Sequence, residues 1–196
     1  MYRFIETIRL ENHRLQHLDW HNKRLNETRK HFFASALEVD LGETLVMPDN
    51  LDEGVYKCRI VYDEQIEEVC FQPYIPKSVH ALRLVTDDHA DYSYKFENRA
   101  MLELLLSQKG EADDILIVRD HCITDTSYSN VALFDGLHWY TPDTYLLNGT
   151  CRQRLLAEGI LRETHITLHD LVRFEEIRPI NAMLVLERTP SVRLMF

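Results

Sequence analysis

Four short stretches of this 196-residue chain combine residue types that do chemistry. In "YKFENR", Lys95 stands just ahead of the run "AMLELLL". The apolar spacing predicts a helix from about Glu97 to Gln108, so Lys95 opens it. That is the end where the helix dipole favours carboxylates. A surface position would suit a lysine equally well, but an amine held deprotonated near that positive end would be a nucleophile. In "ITDTSYSN", Asp125 lies among Thr, Ser and Asn between two strand-like runs. Its plain reading is an ordinary connection with an Asx turn. In "NGTCRQRLL", Gly149 and small residues at a helix start leave several N–H groups able to grip an anion, while Asn148 could serve as a plain N-cap. In "HNKRL", His21 and Arg24 sit one helical turn apart.

Other chemistries fit less well. His13, His17 and His21 recur at four-residue spacing, yet no carboxylate partner or HExxH pattern accompanies them, so no metal is assigned. Cys58, Cys70, Cys122 and Cys151 form no CxxC pair and are read as scattered reduced thiols. The formal net charge of −10 argues against nucleic acid as a partner, since phosphate backbones are bound by Lys and Arg patches. No apolar run has the length of a membrane span. "MYRFIETIRL" lacks the parts of a signal peptide, which makes a cytoplasmic protein the default expectation.

The elements that must position these residues are mixed. Leu15, Leu18, Leu25 and Phe32 recur at helical spacing between His13 and Phe33. "GVYKCRIVYD" and "QIEEVCFQPY" read as a hairpin around "DEQ". "HALRLVTDD" is a strand, with a domain boundary expected near Asp87 to Asp91. "DDILIVRD" is another strand, and "NVALFDGLHWYTP" is a hairpin whose Asp135-Gly136 suits a type I′ turn. A helix runs from near Gly149 to Gly159. "NAMLVLER" and "SVRLMF" read as closing strands. The fold class is α+β with mainly antiparallel strands.

In chain order, "FIETIRL", "HNKRL", "YKFENR", "DDILIVRDHCITDTSYSNVALF", "WYTPDTYLLNGTCRQRLL" and "EEIRPINAML" resemble the class IV aminotransferase family. These are the pyridoxal-phosphate (PLP) enzymes of fold type IV, including branched-chain and D-amino-acid aminotransferases and aminodeoxychorismate lyase. The resemblance spans nearly the whole chain, in a form trimmed at the N-terminus. It implies two small domains with the cofactor between them: an N-terminal α/β sandwich (1–88) and a C-terminal pseudo-barrel (89–196). It also implies a homodimer acting on a small-molecule amino or enol-ether acid. Lys95 falls where the family has the lysine that carries the cofactor, and Asp125 where it usually has the glutamate that pairs with the pyridine nitrogen. Arg24 matches the arginine that holds the cofactor phosphate. Gly149, Thr150 and Cys151 occupy the phosphate-binding turn, commonly Gly-Ile-Thr.

Within the family, Lys95, Asn98 and Arg99 resemble the Lys-x-x-Asn-Arg pattern of aminodeoxychorismate lyase. This implies formation of 4-aminobenzoate and pyruvate for folate biosynthesis. An aminotransferase for branched-chain or D-amino acids, or a non-catalytic relative, would share most of the same pieces. Arg99 could then bind a substrate carboxylate or the cofactor's O3′, or merely pair with Glu103 at i+4.

Overall fold

Strand β1 (Phe4–Glu11) alternates buried and half-buried positions from Glu6 onward, so one face is turned to the core. Glu6 shares that face with Ile8 and Leu10, which commits a carboxylate to burial. The helix α1 (Leu18–Phe32) answers it, because its buried residues are His21, Arg24, Leu25, Thr28 and Arg29. That spacing is one helical face, and most of it is polar. The computed structural model describes residues 2–33, 37–48 and 50–195. In it the chain divides into two units, Met1–Pro76 with Tyr94–Asn98, and Lys77–Ser93 with Arg99–Phe196.

The first unit is completed by β2 (Arg14–Leu15), the single turn α2 (Leu41–Thr44), β3 (Val55–Tyr62) and β4 (Ile66–Pro73). Its sheet is antiparallel throughout, in the order β2-β1-β3-β4. Phe4, Ile8, Leu25, Leu41, Ile60 and Tyr62 form its core.

The second unit contains β5 (Ala81–Thr86), α3 (Ala100–Leu106), β6 (Asp114–Arg119), β7 (Cys122–Thr126), β8 (Asn130–Phe134) and β9 (Trp139–Pro142). It continues with α4 (Thr150–Ala157), β10 (Leu161–Thr164), β11 (Glu176–Ile180) and β12 (Arg193–Met195). Two four-stranded sheets result, ordered β10-β9-β8-β11 and β12-β5-β6-β7. Strand β8 is buried on both faces. Val131 and Leu133 pack with Leu82, Leu116 and Ile123, while Ala132 packs with Cys151 and Leu155 of α4. The start of β8 and the start of α4 are thereby held in one packed layer.

Several local expectations are corrected. Asn12, His13 and His17 take positive φ, so the helix begins only at Leu18 and the three histidines do not stack along it. Helix α3 starts at Ala100, five residues after Lys95, because the chain bends at Tyr94 and Glu97 and Phe96 bridges to Phe4. The same pairing returns 94–98 to the first unit. The first unit's main segment ends at Pro76, ahead of the boundary expected at 88/89. At Asp135-Gly136 only Gly136 has positive φ, where a type I′ turn needs it at both central residues. "NAMLVLER" is a turn followed by a 3₁₀ turn at Leu186–Arg188, not a strand. Phe196, which the closing strand was expected to include, lies outside the described residues. Among the described residues no helix is long and apolar enough to cross a membrane.

Candidate active site

In the first unit the buried Glu6 carboxylate is gripped on both oxygens. Arg24 donates from Nε to Oε1 at 2.7 Å and from Nη2 to Oε2 at 2.6 Å. His21 Nδ1 donates to Oε2 at 2.7 Å, since an ionised carboxylate can only accept. Burial alone would raise the Glu6 pKa. The Arg24 charge and the His21 and Arg24 hydrogen bonds outweigh it and hold the group at about 2. Arg24 is therefore a fixed, charge-balanced guanidinium.

Lys95 is positioned from the same strand. Its carbonyl accepts from Ile5 N at 2.9 Å, one residue from Glu6. Tyr94 stacks on His31 at 4.9 Å and meets Phe32 edge-on, and Phe96 packs on Phe4 at 5.0 Å. The Phe96 N–H also donates to the Tyr94 carbonyl at 2.8 Å, which places Lys95 at the centre of a tight three-residue turn flanked by these rings. The helix-dipole reason for Lys95 fails, because no helix begins there. What fixes it is a bridge to β1 clamped by aromatic rings.

In the second unit Asp125, Asn130 and Gly149 come together. Asp125 Oδ1 accepts from Asn130 Nδ2 at 2.8 Å, and Oδ2 accepts from the Leu147 and Leu146 N–H groups at 2.9 and 3.2 Å. All three donors are neutral. Burial pushes the Asp125 pKa up to about 6, although these bonds and the Arg152 charge pull the other way. Asn130 Nδ2 also donates to the Leu147 carbonyl at 2.8 Å. Gly149 caps α4, and Thr150 and Cys151 are buried in its first turn, where N–H groups have no intrahelical acceptor. The Cys151 thiol is raised by burial and is no standing nucleophile.

Two arginines brace this arrangement. Arg152 is buried, lies 4.1 Å over the Tyr145 ring, pairs with Glu163 and donates to the Pro142 carbonyl and to Asn148 Oδ1. It thus holds the loop whose N–H groups serve Asp125. Arg99 donates from Nη2 to the Ser127 carbonyl at 2.7 Å, in the turn just after Asp125, and its guanidinium reaches Ser127 and not Glu103. Glu6, Asn130 and Arg152 were not singled out from the sequence. All three lie inside the quoted motifs, and the alternation of β1 was the available signal for Glu6.

A second cluster has the geometry of a nucleophilic centre in an unfavourable electrostatic setting. Cys122 Sγ lies 3.3 Å from His165 Nε2, and His165 Nδ1 lies 3.1 Å from Asp143, an order that suits nucleophile, base and orienting acid. Burial, then Asp143 and Asp120, raise the thiol pKa, the reverse of what an activated cysteine needs.

The model of the amino-transferase class IV family matches residues 72–188. An uncharacterized protein of Haemophilus influenzae is 35% identical over 185 residues, covering 93% of this chain and 98% of that one. A solved structure from Haemophilus somnus 129pt, provisionally described as a 4-amino-4-deoxychorismate lyase, is 33% identical. It superposes with a TM-score of 0.85 and covers 93% of this chain and 97% of that one. The PLP-bound form of a hypothetical aminotransferase from Mycobacterium tuberculosis shares the fold at a TM-score of 0.74 and 18% identity, over 98% of this chain and 81% of that one. The chain belongs to the class IV aminotransferase family, a family of PLP-dependent enzymes with the fold type IV architecture.

Proposed function

We propose that this chain is a PLP-dependent lyase that converts 4-amino-4-deoxychorismate to 4-aminobenzoate and pyruvate. The observation that carries the cofactor reading is Asp125, a buried carboxylate met only by neutral donors. A buried carboxylate is costly without a cation in contact. Arg152 acts on Asp125 only at a distance, its guanidinium being bonded to Asn148, Pro142 and Glu163, and a protonated ring nitrogen would supply the contact. Gly149 adds a second sign of fit, since a Cβ there would lie 2.1 Å from Asn130 Oδ1. The turn is kept bare at the helix start where an anion would bind.

The chain's residues then have distinct roles. Lys95 holds the cofactor covalently and moves the proton at the substrate carbon. Asp125 keeps the ring nitrogen protonated. Arg24, its orientation fixed by Glu6, and the N–H groups of Thr150 and Cys151 after Gly149 bind the phosphate. Arg99 uses the part of its guanidinium not taken by Ser127 to hold a substrate carboxylate. When bound, the cofactor supplies an electron sink that makes that proton labile. The lyase assignment over an aminotransferase is supported by the 33% identity to the provisionally described lyase and by the Lys95-x-x-Asn98-Arg99 pattern.

Two experiments test this. Borohydride reduction in the presence of pyridoxal phosphate, followed by peptide mapping, is expected to tag the peptide containing Lys95. A tag elsewhere, or none, removes the assignment. Aminodeoxychorismate is expected to yield 4-aminobenzoate and pyruvate with no keto acid added. Strict dependence on a keto-acid acceptor would move the chain to the aminotransferases.

A further inference from the structure

We infer that Asn130 couples the two ends of the proposed cofactor site, so that a change at the phosphate turn is felt at the ring nitrogen. This rests on the cofactor reading above and adds a positioning residue to it. Asn130 Nδ2 donates to both Asp125 Oδ1 and the Leu147 carbonyl, each at 2.8 Å. Leu147 in turn donates its N–H to Asp125 Oδ2 at 2.9 Å. Asp125, Asn130 and Leu147 form a closed ring of hydrogen bonds, and Leu147 lies two residues before Gly149.

The other end of the same carboxamide sets the residue at 149. Gly149 has φ −64° and ψ 144°, backbone that any residue can adopt. Its lack of a side chain is required by space, because a Cβ would sit 2.1 Å from Asn130 Oδ1. Asn130 cannot yield cheaply. It is buried, it opens β8 in register with Ile180 of β11, and any swing breaks both Nδ2 bonds. No other side chain fills the role. Asp has no N–H to donate, Gln is one carbon too long, and Ser cannot reach both acceptors while occupying the space beside Gly149.

The test uses the full chain, stripped of cofactor, with pyridoxal phosphate added back and both affinity and the visible absorbance band recorded. Asn130→Ala is expected to weaken binding by roughly ten- to a hundredfold and to displace the band. Gly149→Ala is expected to weaken it by about tenfold and to displace the band in the same direction, because it drives Asn130 off Asp125. Adding Gly149→Ala to Asn130→Ala should then cost less than about twofold, since the clash partner is gone. Asn130→Ser, with circular dichroism and urea unfolding to confirm the fold, replaces Asn130→Ala if that variant does not fold.

Losses that multiply in the double variant overturn the coupling. So does a Gly149→Ala protein with weakened binding and a wild-type band, which would confine the effect to the phosphate. A wild-type chain that binds no pyridoxal phosphate instead overturns the cofactor reading, and the coupling with it.

Discussion

Glu6 and Asp125 are both buried carboxylates, one in each unit, and their environments drive them in opposite directions. Glu6 meets a guanidinium fork and an imidazole and is held at about 2. Asp125 meets an amide side chain and two backbone N–H groups and is pushed up to about 6. Burial penalises the charge in both cases, so the neighbours decide the sign. The first unit supplies its own cation and uses the ion pair to fix an arginine. The second unit prepares the geometry of an acceptor and leaves the cation to be supplied. Satisfied charge marks structure here, and unsatisfied charge marks the place where a ligand is expected.

The contrast can be broken most forcefully at Arg24. Arg24→Met leaves Glu6 buried without its main partner and is expected to cost about 3–5 kcal/mol in urea unfolding. A loss below about 1 kcal/mol would show that Glu6 does not depend on it. Asp125→Asn is the complementary change. It is expected to lower turnover by about 10²–10³-fold, as removal of a preorganised charge does, while cofactor affinity falls by less than about tenfold. Unchanged turnover would reduce Asp125 to a structural residue of β7.

The acid limb of stability separates the two carboxylates again. The folded Glu6 pKa lies below its ordinary 4.5, so its contribution is present above that value and is lost as pH falls toward 2. Roughly 3 kcal/mol of unfolding free energy should disappear over that window in wild type and not in Glu6→Gln. Thr150→Ala is the smallest effect expected, less than about threefold in cofactor affinity, because the backbone N–H that binds phosphate is retained. A loss above about tenfold would shift the phosphate grip to the hydroxyl.

Much of this was legible in the sequence as order and spacing. Asp125, Gly149 and Arg24 stand in recognisable local patterns, and the β3-β4 hairpin and α4 follow from alternation and from the Gly149 and Gly159 punctuation. What escaped was set by partners far along the chain. Residues 97–99 have a helical continuation, but Phe96 pairs with Phe4, and that long-range bridge delays α3 to Ala100. The His13-His17-His21 spacing looks helical until the positive φ values of His13 and His17 break it. The Arg24–Glu6 pair spans 18 positions and exists only because β1 and α1 turn polar residues toward each other. Asn130 lay in plain sight within "SYSN", but its three contacts reach Asp125, Leu147 and Gly149, which no local spacing brings together.

The central claim is that Asp125 is a carboxylate whose cation comes from outside the chain. The direct measurement is unfolding free energy against pH, for wild type and Asp125→Asn, with and without pyridoxal phosphate. Asp125 has a folded pKa of about 6 against an ordinary 3.8, so the native state holds its proton more tightly. Stability from this group is full below 3.8 and is lost as pH rises through 6. Without cofactor, wild type is expected to lose roughly 3 kcal/mol relative to Asp125→Asn across that window. With saturating pyridoxal phosphate the relative loss should vanish, because the ionised carboxylate then has its partner. Parallel curves for the two proteins without cofactor, or a slope that pyridoxal phosphate leaves untouched, would contradict the claim.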